Sequence, residues 1–445
     1  DKIDKQEGEK LLKNPEVKSI IKIVEEFLIN RKLVCYGGTA INALLPPDDQ
    51  FYDMSIELPD YDFFSPTPME DAKDLADLYY KKGFEEVEAK AGSHSGTFKV
   101  FVNFIPVADI SLQVPELYKK IKKQARNVRG IYYTPPNYLR MLMYLELSRP
   151  GGDVSRWEKV LKRLTLLNKN FPLKGKDCDF IEIQRMFDPT TKITESQTSK
   201  LFTLTRECLI NQSVVFFGAM ANKLFIRNLK KFKKYKMEKI PDFDVLSKDP
   251  ENTAGVLKEY LEENGIKGVK IQKKDGVGEV VAPHYSVNVY GETVAFIYEP
   301  LACHSYNKIN LSGRSVKIAT IDTMLSFYLA FLYLNRKYYD PQRILCMSHY
   351  LFAVQAKNRL KQKGILKRFS IDCYGEEKHT KEKIRAKKSE LFKKLKNNRG
   401  SKEWDFHFLK YAPAEEKTTK KKRKKTKKTN KKTKKKTRKK KKFFF

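Results

Sequence analysis

The chain carries the same set of short segments twice, in the same order, about 181 residues apart. This repetition limits the choice of fold more than any other feature, because each copy must be a unit that recurs. Residues 34–45 read VCYGGTAINALL and residues 215–225 read VFFGAMANKLF. LPDYDFFSP at 58–66 is answered by IPDFDVLSK at 240–248. FVNFIPVADI at 101–110 is answered by SVNVYGETVAFI at 286–297, and LYKKI at 117–121 by SYNKI at 305–309. Several matching segments in one order argue against chance. The expectation is two domains of one fold, each of roughly 180 residues, a usual domain size.

Local patterns give each copy a mixed character. In 15–30, Ile20, Ile21, Val24, Phe27 and Leu28 fall on one helical face. The apolar run 33–36 leads into Gly37-Gly38 and then a helix-like stretch that Pro46-Pro47 ends. A short strand is expected over 58–65 and a helix over 68–82, closed by Gly83. From Gly96 to Gln113 the chain is β-rich, with Phe98, Val100, Val102 and Phe104 alternating with Thr97, Lys99, Phe101 and Asn103. Asp109 belongs to the next strand, 107–112, and 135–170 and 320–360 are helical in pattern. The fold class expected is α+β, with tandem domains of mixed sheets and flanking helices. The division expected is a helical segment at 1–30, a first domain at 31–190, a second at 191–413 and a tail at 414–445.

Charge is uneven. Of the 35 excess positive charges, 19 come from Lys417–Lys442, which contains no acid and is expected to stay disordered. The remaining +16 should still attract polyanions. Hydrophobic residues at 41% supply enough for a core. The longest apolar run, about 324–334, is too short for a bilayer, and the charged start DKIDKQEGEK is no secretory signal, so no membrane partner is expected. Six cysteines at 35, 178, 208, 303, 346 and 373 include no C-x-x-C and fit neither a zinc site nor a disulfide framework. Free thiols in a reducing compartment are therefore expected. The six histidines form no H-x-x-x-H, which leaves a metallohydrolase without support.

The carboxylates carry the chemistry. Residues i and i+2 of a strand share a face, so Asp60 and Asp62 should aim together, and Asp109 on a neighbouring strand could join them. Three such charges repel unless divalent cations neutralise them. Mg²⁺ takes carboxylates together with substrate phosphates, and two ions about 4 Å apart serve an in-line phosphoryl displacement. Gly37-Gly38 at a helix start leaves backbone N–H groups free for a triphosphate, and Thr39 offers a hydroxyl. A lone D-x-D is weak: this chain has three, Asp177-Cys-Asp179 among them, where roughly one is expected by chance. The informative arrangement is strand, Gly-Gly, helix, then D-x-D about 22 residues on, then a third Asp in a β-rich segment.

That arrangement resembles the polymerase-β-like nucleotidyltransferases. With YGGTAIN, PDYDFFS and the stretch Tyr138–Val160 (YLRMLMYLELSRPGGDVSRWEKV), it looks like the poly(A) polymerase catalytic subunit family of large DNA viruses, over about residues 15–410. The resemblance implies an active nucleotidyltransferase domain followed by a degenerate copy. It implies Asp60, Asp62 and Asp109 as catalytic and metal-binding residues for two Mg²⁺ or Mn²⁺ ions, and Gly37, Gly38 and Thr39 at the nucleotide. ATP is then the substrate and the 3′ end of single-stranded viral mRNA the acceptor. A homodimer and a viral processivity or capping partner fit the family, as do the virion and the cytoplasmic viral factory as locations.

The repeat offers an internal test. Copy two keeps Asp242 and Asp244, but Ala219 replaces Gly38 and Phe296 stands where copy one has Asp109, so the second domain is expected to be catalytically silent. Arg156, Lys159 and Arg163 recur on one helical face; Lys159 and Arg163 are candidate phosphate contacts, against the plainer reading of a solvated face. Tyr144 could stack on adenine, though at helical spacing a tyrosine is more often core. The run Lys230–Lys236 and the tail suit RNA, or are merely charged loop and solubility segment. Two other readings stay open: a nucleotidyltransferase with another nucleotide or acceptor, and a non-catalytic RNA-binding subunit.

Overall fold

The computed structural model describes residues 12–53, 57–180, 183–230 and 238–415. The lysine-rich tail and all but the first residue of the Lys230–Lys236 run lie outside the described residues. Fifteen strands appear in order before the chain nears its end. They are β1 (Val34–Cys35), β2 (Tyr61–Ser65), β3 (Val87–Ala91), β4 (Thr97–Val102), β5 (Ile105–Leu112), β6 (Arg126–Val128), β7 (Ile131–Tyr133) and β8 (Val215–Phe216). Then come β9 (Phe243–Leu246), β10 (Val269–Lys274), β11 (His284–Val289), β12 (Glu292–Tyr298), β13 (His304–Leu311), β14 (Arg314–Ala319) and β15 (Cys373–Tyr374). A last strand, β16 (Lys410–Tyr411), follows.

These strands form two sheets, β16-β3-β4-β5-β2-β1-β7-β6 and β10-β11-β12-β9-β8-β14-β13-β15. From β3 and from β10 onward, seven strands of each sheet run in the same order. The pairing senses agree as well. β5 with β2 is parallel, as is β12 with β9. β2 with β1 and β9 with β8 are antiparallel, while β1 with β7 and β8 with β14 are parallel. Even the register shift recurs, between Val100 and Phe101 in the first sheet and between Val287 and Asn288 in the second. The repeat read from the sequence is therefore a repeat of topology.

Local sequence explains most elements. The helix Pro15–Arg31 starts with Pro15 in its first turn, and Asn14 caps it by accepting the Glu16 N–H at 2.8 Å. It buries Ile20, Val24, Phe27 and Leu28 as expected, together with Val17 and Ile23; Ile21 sits at the edge of that face. On β4, Phe98, Val100 and Val102 are fully buried. The alternation stops before Phe104, which is 85% exposed, because Asn103 and Phe104 both take positive φ in the tight β4–β5 turn. The helical stretches expected at 135–170 and 320–360 are each two helices: Pro136–Leu147 and Trp157–Asn170, then Ile321–Phe331 and Pro341–Lys357.

The helices that follow β7 and β14, Pro136–Leu147 and Ile321–Phe331, are equivalent in the repeat and pack on each other. Tyr138 meets Tyr333 edge to face at 4.9 Å just past this junction. Every residue of Ile321–Phe331 is buried, which accounts for the longest apolar run of the chain. Arg368 closes on the buried Asp322 at 2.7–3.0 Å, and Arg149 forks onto Glu377.

Two expectations are corrected. Cys178 is bonded to Cys346 and Cys303 to Cys373; only Cys35 and Cys208 are free, both buried. Spacing could not show this, since the first pair is 168 residues apart and is brought together by folding alone. The inference of a reducing compartment loses its footing. The second correction concerns the chain end. Residues 402–411, assigned by sequence to the second domain, pack on the first unit: β16 pairs with β3, the helix Lys402–Phe408 sets Phe406 on Phe98, and the Tyr411 hydroxyl donates to Asp77 at 2.8 Å.

Candidate active site

The glycine turn and the acids are positioned by β1, β2 and β5. β1 is followed by Tyr36, whose N–H donates to the Asp62 carbonyl at 2.9 Å, and the helix Gly37–Leu44 begins at once. Gly37 has φ +74°, and a Cβ there would lie 2.6 Å from Asp62 Oδ2, so both backbone and space demand glycine. A Cβ on Gly38 would lie 2.5 Å from the Tyr52 hydroxyl and 2.9 Å from Arg163 Nη1. The helix start therefore faces Asp62 on one side and the Arg163 guanidinium on the other.

Asp62 and Asp109 are direct partners in the parallel β2–β5 pair. Asp60 lies just ahead of β2 rather than on it, at the solvent-facing rim. Partial burial, and then the charge of Asp109, raise the Asp60 carboxyl above its ordinary range. Asp62 lies deeper. Desolvation, with Asp60 and Asp109 adding repulsion, pushes it up to about 7. The charges of Asp60 and Asp109 thus both act on Asp62. Lys99, opposite Asp109 on β4, is ion-paired to it.

Of the other expected residues, Thr39 directs its hydroxyl proton to the Asp60 carbonyl at 2.6 Å, which ties the helix to the D-x-D segment and leaves only its lone pairs for another partner. Arg163 donates to the Tyr52 hydroxyl at 2.6 Å and lies 4.8 Å from the Phe51 ring. Asn42 holds that loop, accepting the Phe51 and Tyr52 N–H groups at 2.8 and 3.0 Å. Lys159 is exposed, and the neighbouring Arg163 lowers its pKa more than any other group, while Glu57 and Asp60 oppose the shift. Tyr144 is fully buried, as the plainer reading held.

Sequence reasoning missed Lys99, Tyr52 and the loop that carries Tyr52. A signal for Lys99 was present: it is a lysine on the face of β4 opposite the core residues Phe98 and Val100. Nothing marks Tyr52, whose place depends on a loop folding back over Gly38.

The carboxylate set suits a hard divalent cation, which takes oxygen donors. Among the described residues, however, no three ligating side chains stand close enough together to hold an ion as arranged. Asp109 is engaged by Lys99 instead.

The second sheet gives the contrast. Phe296 is the direct partner of Asp244, in the same parallel register as Asp109 with Asp62. Gly218 presses on Asp244, with a Cβ position 2.3 Å from its Oδ2, as Gly37 does on Asp62. Asp242 is buried and paired with Arg185 at 2.5 Å and Arg343 at 3.4 Å, and Arg185 lies 4.7 Å from the Phe296 ring. Burial pushes Asp244 up to about 6 against the pull of Arg185.

The chain is similar to known proteins in both sequence and fold. The family profile described as poly(A) polymerase catalytic subunit matches residues 22–153. A protein carrying the same family description in Acanthamoeba polyphaga mimivirus is 30% identical over 219 residues, 48% of this chain and 36% of that protein. One in African swine fever virus is 35% identical over 165 residues, 36% of this chain and 34% of its own length. The matches thus span about a third of these relatives. The crystal structure of the Megavirus polyadenylate synthase superposes with a TM-score of 0.74 at 21% identity, covering 89% of this chain and 80% of that one. Residues 22–153 thus match the family profile described as poly(A) polymerase catalytic subunit, and 89% of the chain shares its fold with the Megavirus polyadenylate synthase.

Proposed function

We propose that this chain is a template-independent polynucleotide adenylyltransferase that extends the 3′ end of viral mRNA with adenylate from ATP. The observation that carries the reading is the parallel register of Asp62 with Asp109 beside the Gly37–Leu44 helix start. We read 31–190 as the catalytic unit, preceded by the helix within 1–30. We read 191–413 as its silent copy, with residues 402–411 lent back to the first unit.

In the reaction the RNA 3′-hydroxyl oxygen bonds to the α-phosphorus of ATP, the bond to the bridging oxygen breaks, and pyrophosphate leaves. Asp60, Asp62 and Asp109 would hold Mg²⁺ or Mn²⁺, which when bound neutralises the triphosphate and acidifies the attacking hydroxyl. Asp109 is the candidate acceptor of the hydroxyl proton. The free N–H groups of Gly37 and Gly38 would cradle phosphate oxygens at the positive end of the helix. Arg163, oriented by Tyr52, flanks the same point, Lys159 feels the charges of Arg163 and Asp60, and both would bind the outer phosphates. Catalysis is then mostly positioning and charge neutralisation. In the second unit Asp242 is consumed by two arginines and the third acid is Phe296, which supports a silent copy. The tail would add RNA affinity from outside the folded body. The same reading takes in a viral processivity or capping partner, or a second copy of the chain.

Primer extension of single-stranded RNA with each of the four nucleotides separately, with and without Mg²⁺ or Mn²⁺, tests the reading. Extension with ATP and a divalent ion is expected. Extension by another nucleotide alone, or none under any condition, would overturn it.

A further inference from the structure

Asp109 already has a protein cation beside it. Lys99 lies directly across the antiparallel β4–β5 pair, and its ammonium is ion-paired with Asp109 Oδ2. The alternation of β4, with Phe98 and Val100 in the core, sends Lys99 to the same face as Asp109. At the equivalent register positions of the second sheet stand Ser286 and Phe296. The acid and the lysine are thus absent together, inside a single chain. The second unit has a protein cation at its remaining acids all the same, since Arg185 and Arg343 close on Asp242.

The two arrangements differ in how firmly the cation is held. The side chains of Lys99 and Asp109 keep 37% and 20% of their exposure. Asp242 keeps 1%. A partly hydrated, single-point ammonium pair contributes little and exchanges readily. A buried carboxylate gripped by two guanidinium groups cannot release them without stranding charge. The first unit therefore carries a removable cation where the second carries a fixed one.

We propose that Lys99 is a positioning residue that stands in for a divalent cation at Asp109: it holds the carboxylate in the cleft while the cation is away and is displaced when the cation binds. This rests on the reading of Asp60, Asp62 and Asp109 as the metal-holding set. No covalent bond changes; one ion pair is exchanged for another. It accounts for three acids that lie together yet form no ready cluster among the described residues.

The test uses the full chain without nucleotide, with free Mn²⁺ followed by electron paramagnetic resonance and unfolding by calorimetry. Lys99→Met should bind Mn²⁺ roughly 1.5-fold to fivefold more tightly, the range a partly exposed ion pair is worth. It should also melt lower than wild type without metal and recover at saturating Mn²⁺. Lys99→Arg should bind Mn²⁺ no more tightly than wild type. Unchanged or weaker Mn²⁺ binding by Lys99→Met, or a melting deficit that persists at saturation, would overturn the proposal. Asp62→Asn is titrated in parallel. Loss of Mn²⁺ binding there upholds the parent reading whatever Lys99 does, whereas full retention locates the ion elsewhere and defeats both.

Discussion

Single side chains at the cleft make the sharpest claims. Asp60→Asn, Asp62→Asn and Asp109→Asn should each abolish tailing, by more than about 10²-fold, while RNA affinity in a filter-binding assay stays near wild type. Tailing that persists with any one of them refutes the triad. Asp62 also makes a pH claim. Its folded value of about 7 exceeds its ordinary 3.8, because burial and two neighbouring acids penalise the anion. The folded state therefore holds more protons than the unfolded one between those values. The stability this group contributes is full below the ordinary value and is lost as pH rises through 7. Asp62→Asn should then stabilise the metal-free protein at pH 8 by roughly 1–2 kcal/mol, after discounting for solvent at the cleft mouth. The gain should shrink towards pH 5; an equal gain at both pH values would contradict the assignment. Gly37→Ala should cost about 1–2 kcal/mol from its positive φ, and should cut tailing further by pushing Asp62 aside, measured as Tm and rate on one preparation.

Among the elements, the β2–β5 pair carries the proposed site, because its register sets Asp62 beside Asp109. The same pair in the second sheet sets Asp244 beside Phe296, so an identical scaffold yields no triad. β16 shows the opposite kind of dependence, a short element whose removal should matter to a distant sheet. It covers the edge strand β3, and the preceding helix Lys402–Phe408 sends Phe406 against Phe98. Truncation after residue 400 should lower Tm by several degrees and raise hydrogen exchange in β3 and β4, since a bare edge and an uncovered aromatic result. Truncation after residue 415 should leave both unchanged. Equal behaviour of the two truncations would show that the strap carries no load.

For the whole molecule, the proposed reading predicts that the second unit supports stability and takes no part in the chemistry. Asp242→Ala strands Arg185 and Arg343 beside a buried site and should destabilise the protein by about 3–5 kcal/mol. Any loss of tailing should therefore track unfolding and return at lower temperature, unlike the loss in Asp60→Asn. The mixed α+β class and the glycine turn were legible in the sequence because each is a local pattern, period 2, period 3.6 or a fixed offset within a few residues, and the repeat was legible because short segments return in one order about 181 residues on. Duplication then let one copy report on the other, so the missing acid at Phe296 could be read without coordinates. The tertiary structure alone decided which cysteines meet, that residues 402–411 pack on the first unit, that Tyr52 folds over Gly38, and that Lys99 already occupies Asp109. These join residues from about 10 to more than 300 positions apart. Such pairings are fixed by chain packing and by which charges are forced into one desolvated space, and neither quantity is carried by the order of residues along a short segment.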